Sequence, residues 1–341
     1  MKKTAMKRIG SCAAGMMAIA LPLLSSPVLA DPFRTTNPRS FDPSLDAAFV
    51  EMFRNGNYVA AEELLASASP ADPMTHAMQA AFAYLESDWD TLNTEAEQTL
   101  AAAESLVSSD PLRGNLYIAV GHFMEGAHVL STRGTVQATP IVLSKLRLVF
   151  THMGLAEEVD AQDPELNLIK GYMDLMIAVN LPFSSPDQAI ERLQTYGSPS
   201  YLVQRGLAVA YRDLDNLDAA MDAVDRAIAD APTNPDLFYL KAQILRLRGD
   251  LRESLEHFDQ TLEQADNYPD PLAEQIAYER CRTQNDLQEQ SESGEVTRNC
   301  RAWAQRRIAQ GAESSDDSPS PATETSLNNS SETLPAGSTE S

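Results

Sequence analysis

The chain has 341 residues and sets 49 acidic side chains against 26 basic ones. Four of the bases (Lys2, Lys3, Lys7, Arg8) fall within the first thirty residues, which hold no acid, so the remainder carries a net charge of about −27. Such a body repels phosphate backbones and anionic headgroups, and no glycine-rich phosphate loop follows an apolar strand; both observations argue against nucleic-acid binding and nucleotide hydrolysis.

Taken in chain order, Met1 to Arg8 is a short basic stretch and Ile9 to Leu24 is almost continuously apolar. Ser25 to Ala30 then supplies Pro27 and small residues, the pattern of a secretory signal peptide over residues 1–30, cut after Ala30. Its apolar run is shorter than the roughly 20 residues a membrane span needs, so the mature chain is expected to have no stable membrane insertion. Residues 31–44 read as a linker. Beyond it, glycine is scarce while Ala, Leu, Glu and Asp dominate, which favours helices.

Helix starts are written as a capping residue followed by proline, at Asp42, Asp72, Asp110, Thr139, Asp163, Ser185, Ser198, Asn234 and Asp270. Each places a side-chain acceptor over unpaired N–H groups and a proline where its missing N–H costs nothing. Behind them, apolar residues recur at three and four, as in Leu166, Ile169, Met173 and Ile177. Ile141 to Phe150 is β-branched enough to raise a strand alternative, but Val142, Leu146, Val149 and Met153 share a helical face, so the segment is expected to be helical. The fold is expected to be all-α.

A period of 34 runs through the C-terminal half. Leu207, Ala208, Tyr211, Leu217, Ala220 and Val224 fall opposite Lys241, Ala242, Leu245, Leu251, Ser254 and Phe258. Small residues mostly meet small ones, as a stacked helix–turn–helix unit requires. Downstream, Cys281 and Cys300 form the natural disulfide pair of an oxidising compartment, with two buried thiols as the alternative. Residues 311–341 turn to Ser, Thr, Pro, Asn and acids, the composition of a disordered acidic tail.

These residues resemble the tetratricopeptide repeat: the small Ala208, the aromatic Tyr211, the turn at Asp215, then Ala220, Val224, Ala227 and Pro232. The second copy departs from the pattern at Lys241 and Asp266. Gly56, Tyr58, Ala61, Leu65, Ala68 and Pro73 look like a further copy, out of phase with the later ones. The resemblance implies an α-solenoid of helical hairpins with an irregular middle: a degenerate region over 45–195, two clear repeats over 196–266, and capping helices with a disulfide over 267–310. More loosely, Asp88 to Asp90, Asp110 to Asn115 and Gly121 to Gly126 are similar to a family of exported, predicted periplasmic repeat proteins of cyanobacteria, which implies a periplasmic location and brings no catalytic residues.

In a tetratricopeptide stack the first helix of each unit lines the concave groove, so the resemblance places Arg205, Val209, Arg212, Tyr239, Gln243 and Arg246 there. Arginine forms bidentate bonds to carboxylates, and such a groove would receive a peptide carboxylate or an acidic segment. The alternative is that these arginines pair with acids such as Asp213 and Asp236 on a solvated face. Val209 stands where the carboxylate-clamp subtype has asparagine.

Other chemistry is sparse. His76, His122, His128, His152 and His257 lack the spacing of a zinc motif, and the cluster Glu157, Glu158, Asp160 and Asp163 lacks a calcium loop's glycine turn, so it reads as a solvated helix end. Met173 and Met176 read as core filler. Arg298, Arg301, Arg306 and Arg307 form a basic cluster on a terminal helix, whose negative end Arg306 and Arg307 complement. No cofactor or metal site is expected. The reading is a non-catalytic peptide-binding or protein-binding scaffold or assembly factor; the competing one is an enzyme or solute binder acting on cell-envelope polymers through a groove carboxylate pair, which leaves little trace in sequence.

Overall fold

The computed structural model describes residues 31–180, 186–290 and 299–309. Among them it contains fourteen α-helices and no strand. The segments read as signal peptide and acidic tail lie outside the described residues, as do Ser185 and Arg298.

The helices are α1 (Pro43–Phe49, continued by a π-helical turn Val50–Asn55), α2 (Tyr58–Leu65), α3 (Pro73–Glu86), α4 (Trp89–Leu106), α5 (Pro111–Arg133), α6 (Thr135–Val159) and α7 (Pro164–Asn180). They continue as α8 (Asp187–Tyr196), α9 (Ser200–Asp213), α10 (Leu217–Asp230), α11 (Pro235–Arg248), α12 (Leu251–Leu262), α13 (Asp270–Gln290) and α14 (Cys300–Ala309).

Five of the nine proline-marked starts work as the sequence indicates. Asp42, Asp72, Asp110, Asp163 and Asn234 each accept a backbone N–H in the first turn of α1, α3, α5, α7 and α11. Asn57, Asp88 and Asn216 do the same without a following proline. Thr139 is a correction: Pro140 lies inside α6, which begins at Thr135, and the Thr139 hydroxyl donates back to the Thr135 carbonyl. The lost N–H would have served Val136, whose side chain is 89% exposed, so water replaces it at little cost. Ser198 does not cap either, since α9 opens at Ser200 with Pro199 before it, and Asp270 is already inside α13. Ile141 to Phe150 is helical, with Val149 and Met153 buried on its inner side.

Consecutive helices pair: α1 with α2, α3 with α4, α5 with α6, and so on to α13 with α14. The odd-numbered helices also touch one another, α3 with α5, α7 with α9 and α9 with α11, and α13 reaches α3. The last hairpin is stapled by the Cys281–Cys300 disulfide, with Cα atoms 5.4 Å apart.

Residues 31–65 pack along the N-terminal ends of these odd helices. Phe33, Phe41, Leu45 and Phe49 are buried there, and the Phe33 and Phe49 rings meet edge to face at 5.1 Å. Gly56, at φ +67°, lies so close to α11 that a Cβ would sit 2.6 Å from Asn234 Oδ1 and 2.7 Å from Pro235 Cδ. Only glycine fits such a position. The expected linker over 31–44 is thus part of the packed body rather than a tether.

Candidate functional site

The first site residues are ionic. Asp31 is buried, and its carboxylate accepts from the backbone N–H groups of Phe33, Arg34 and Arg39, which folds the strap 31–41 into a fixed loop. From that loop Arg34 pairs with Asp163, and Arg39 bonds Glu165 at 2.7 Å and Asp110 at 3.3 Å. Arg113 on α5 then bridges Asp72 and Glu165 while lying 4.8 Å over the Phe41 ring. Tyr117 donates to Glu165 Oε1 at 2.9 Å. Burial pushes the Tyr117 hydroxyl well up, and the Glu165 charge beside it adds to that. Asp31 is held by backbone N–H groups, and the arginines pair with Asp72, Asp110, Asp163 and Glu165, so the role of this cluster is to clamp the strap to α3, α5 and α7. Asp163, expected at a solvated helix end, is fully enclosed by this clamp.

A second cluster sits on the shared face of α9 and α11. Tyr58 on α2 donates to Asp236 Oδ2 at 2.5 Å, and Asn234 Nδ2 donates to the Phe53 carbonyl at 3.0 Å. Tyr58 also packs against Phe82 and Tyr268. Burial raises the Asp236 carboxyl above its ordinary range, although Arg205 opposes the rise. For Arg205, burial alone would lower the pKa, but Tyr172, Tyr58 and Asp236 raise it, so the guanidinium stays charged. Arg205 is therefore the floor of the face rather than an open ligand for a peptide.

Further along the same helices the remaining candidates stand at half-buried positions. Arg212 on α9 bonds Asp213 at 2.7 Å and donates to Gln243 Oε1 on α11 at 2.6 Å. Gln243 Nε2 donates to Glu279 Oε2 on α13 at 2.9 Å, and Tyr239 donates to the other oxygen of Glu279 at 3.0 Å. Arg246 places two nitrogens on Asp286 Oδ2, at 2.7 and 3.2 Å. Val209 packs beside them against the core. Burial, with Glu279 alongside, pushes the Tyr239 hydroxyl well above its usual range.

Four of the six groove candidates thus make polar bridges across α9, α11 and α13, Arg212, Gln243 and Tyr239 in one ladder with Glu279 and Arg246 beside it on Asp286, above a floor made by Arg205. The pairing alternative also holds in part, because Arg212 meets Asp213 and Arg205 faces Asp236. These pairs lie on a half-buried face, where water competes less than on a solvated one. Sequence reasoning missed Glu279 and Asp286. They fall 40 residues after Tyr239 and Arg246, because the 3-10 turn Ala265–Asn267 and the extended Tyr268 lengthen the connection before α13. A search at period 34 passes over them.

The histidines are satisfied locally: His76 by Glu95, His122 by Glu125, His128 by the Trp89 carbonyl, His152 by Asn115 and His257 by Gln260. No group of three or more His, Cys, Asp or Glu able to hold a metal occurs among the described residues. Among them, too, no helix is long and apolar enough to cross a membrane. Met173 is buried, but Met176 is half exposed and does not fill the core. Arg307 and Arg280 lie over the Trp303 ring, at 5.6 and 5.8 Å.

Compared with known families, the sequence matches no family model, and it finds no match among proteins of curated function.

Proposed function

We propose that this chain is an exported helical-repeat scaffold of tetratricopeptide type, working in the periplasm, that grips a peptide or acidic segment of a partner protein without catalysing a reaction. The observation that carries the reading is the ladder Arg212–Gln243–Glu279–Tyr239, spread over three successive odd helices at half-buried positions. Arginine and amide donors in that setting can exchange internal acceptors for a ligand carboxylate at small net cost, since each bond broken is replaced by another. Support also comes from the lower end of the same face. There the first residue of α2, Tyr58, and the π-helical turn before it meet the N-terminal end of α11 through Asp236 and Asn234, so this end of the face already holds helical backbone by side-chain hydrogen bonds. Stacked hairpins built on a 34-residue period present such a face as a matter of geometry.

The test is recovery of a defined protein from envelope extract by the tagged, exported chain. Recovery should be lost in the double variant Arg212→Ala and Arg246→Ala, whose fold is checked by circular dichroism. Capture that is indifferent to both substitutions removes the inner face from the account. Saturable binding of an envelope glycan at this face, with no protein recovered, contradicts the reading.

A further inference from the structure

The ladder leaves one surface unexplained, on the α5–α6 hairpin. Helices α5 and α6, of 23 and 25 residues, are much longer than the 14-residue α9 and α11, so their shared end projects as an arm. Seven of the thirteen large apolar side chains exposed among the described residues lie on this hairpin: Leu130 on α5, then Val136, Leu143, Leu148, Phe150, Leu155 and Val159 on α6. Beyond α5, the sequence neighbour α7 covers α6 only slightly. Concentrated exposure of this kind marks an interaction surface.

Charge singles out the same stretch. From Gly126 to Ala156 there is no acidic residue, in a body that is otherwise strongly acidic. Of its three bases, Lys145 is held by Glu125 at 2.5 Å, which leaves Arg133 and Arg147 to colour the face. Two copies of so acidic a chain repel each other wherever acids face acids, and this face is where they can meet without doing so.

The spacing of the exposed row fits such a pairing. Val136, Leu143 and Phe150 recur every seven residues, so they form one line along α6 with Leu143 at its centre. We propose that the outer face of α6 joins two copies of this chain as an antiparallel, twofold-symmetric pair. A dyad at Leu143 sets the two Leu143 side chains against each other and each Val136 against Phe150 of the second copy, the self-complementarity that an isologous contact requires. The two Arg147 side chains then stand about 12 Å apart along the helix axis, beyond a Debye length at physiological salt.

The footprint sets the strength. A helix of this length is about 37 Å long and ~10 Å across, so the two faces together cover on the order of 700 Å². That is below the ~1,200 Å² of a stable interface, so the pair is a weak, reversible dimer. Three bases are too few to hold an acidic body on a lipid surface, each being worth about 1 kcal/mol there at most, which disfavours a membrane as the occupant.

The experiment is sedimentation equilibrium of the full chain at low and high salt, from about 1 to 100 µM. The expected result is a monomer–dimer equilibrium that salt strengthens, because salt screens the acidic bodies. Leu143→Glu should abolish the dimer with an unchanged helical spectrum, since the side chain is 60% exposed. Leu143→Cys should cross-link between copies under mild oxidation, with the bond mapped by peptide mass spectrometry, while Leu148→Cys should not. A monomer at every concentration and salt, with no cross-link in the Leu143→Cys variant, overturns the proposal. So does a dimer that survives Leu143→Glu, or a monomer that floats with anionic vesicles through this face.

Discussion

The hairpins α9–α12 and the N-terminal segment 31–65 are held by different physics. In the first, small residues such as Ala208, Ala220, Ala227 and Ala242 are fully buried at close helix crossings, and each contact joins residues near in sequence. In the second, partners stand more than a hundred residues apart, as with Arg39 and Glu165 or Tyr58 and Asp236, and most of them are polar or charged. The hairpins are held by contacts between consecutive helices, whereas the N-terminal segment is a hub whose value lies in joining helix ends that the hairpins leave separate.

The largest effect is expected at the ionic clamp. Arg113→Ala takes from Asp72 its arginine partner and leaves the buried Glu165 with Arg39 as its one cation, and should cost about 3 kcal/mol in urea unfolding. Arg212→Ala on the repeat face should cost under about 1 kcal/mol, because that pair is partly exposed. Equal losses at the two sites would erase the distinction between hub and repeat. Reducing Cys281–Cys300 comes next, at about 3 kcal/mol, with hydrogen exchange rising in α13 and α14 before the hub.

Two glycines sharpen the contrast. Gly249→Ala, at φ +86° in open space beside the repeat turn, should cost about 1 kcal/mol. Gly56→Ala adds collision with Asn234 and Pro235 to the same backbone strain and should cost about 2 kcal/mol or more.

The smallest effect is a pH slope. Burial lowers the His152 and His257 pKa values below the ordinary 6.5, so the unfolded chain binds protons there more readily than the folded one. Their contribution is present above pH 6.5 and is lost as the pH falls from there through the lower folded-state values, and the double variant His152→Gln, His257→Gln should flatten this part of the unfolding curve.

What could be read from sequence divides along the same line. The caps at Asp42, Asp72, Asp110, Asp163 and Asn234 were legible because a cap and a following proline act within one helical turn. Thr139 carries the same signal and misleads, since α6 had already begun at Thr135 and its exposed end tolerates the missing N–H. The line of Arg212, Gln243 and Arg246 was legible because a 34-residue period repeats positions on a face. Their acceptors Glu279 and Asp286 were not, because an inserted turn shifts α13 out of that period. The hub was illegible for a stronger reason: nothing local about Tyr58 specifies Asp236, and the pairing exists only once the intervening hairpins are stacked.

The most direct test of this face places a photo-cross-linking residue at Gln243 in the exported chain, with the exposed Glu256 on α12, a different helix, as the control. The account predicts that light joins the Gln243 position to one defined polypeptide and leaves the Glu256 position unlinked. Equal labelling at both positions, or none at Gln243 while the protein is in its native compartment, would contradict it.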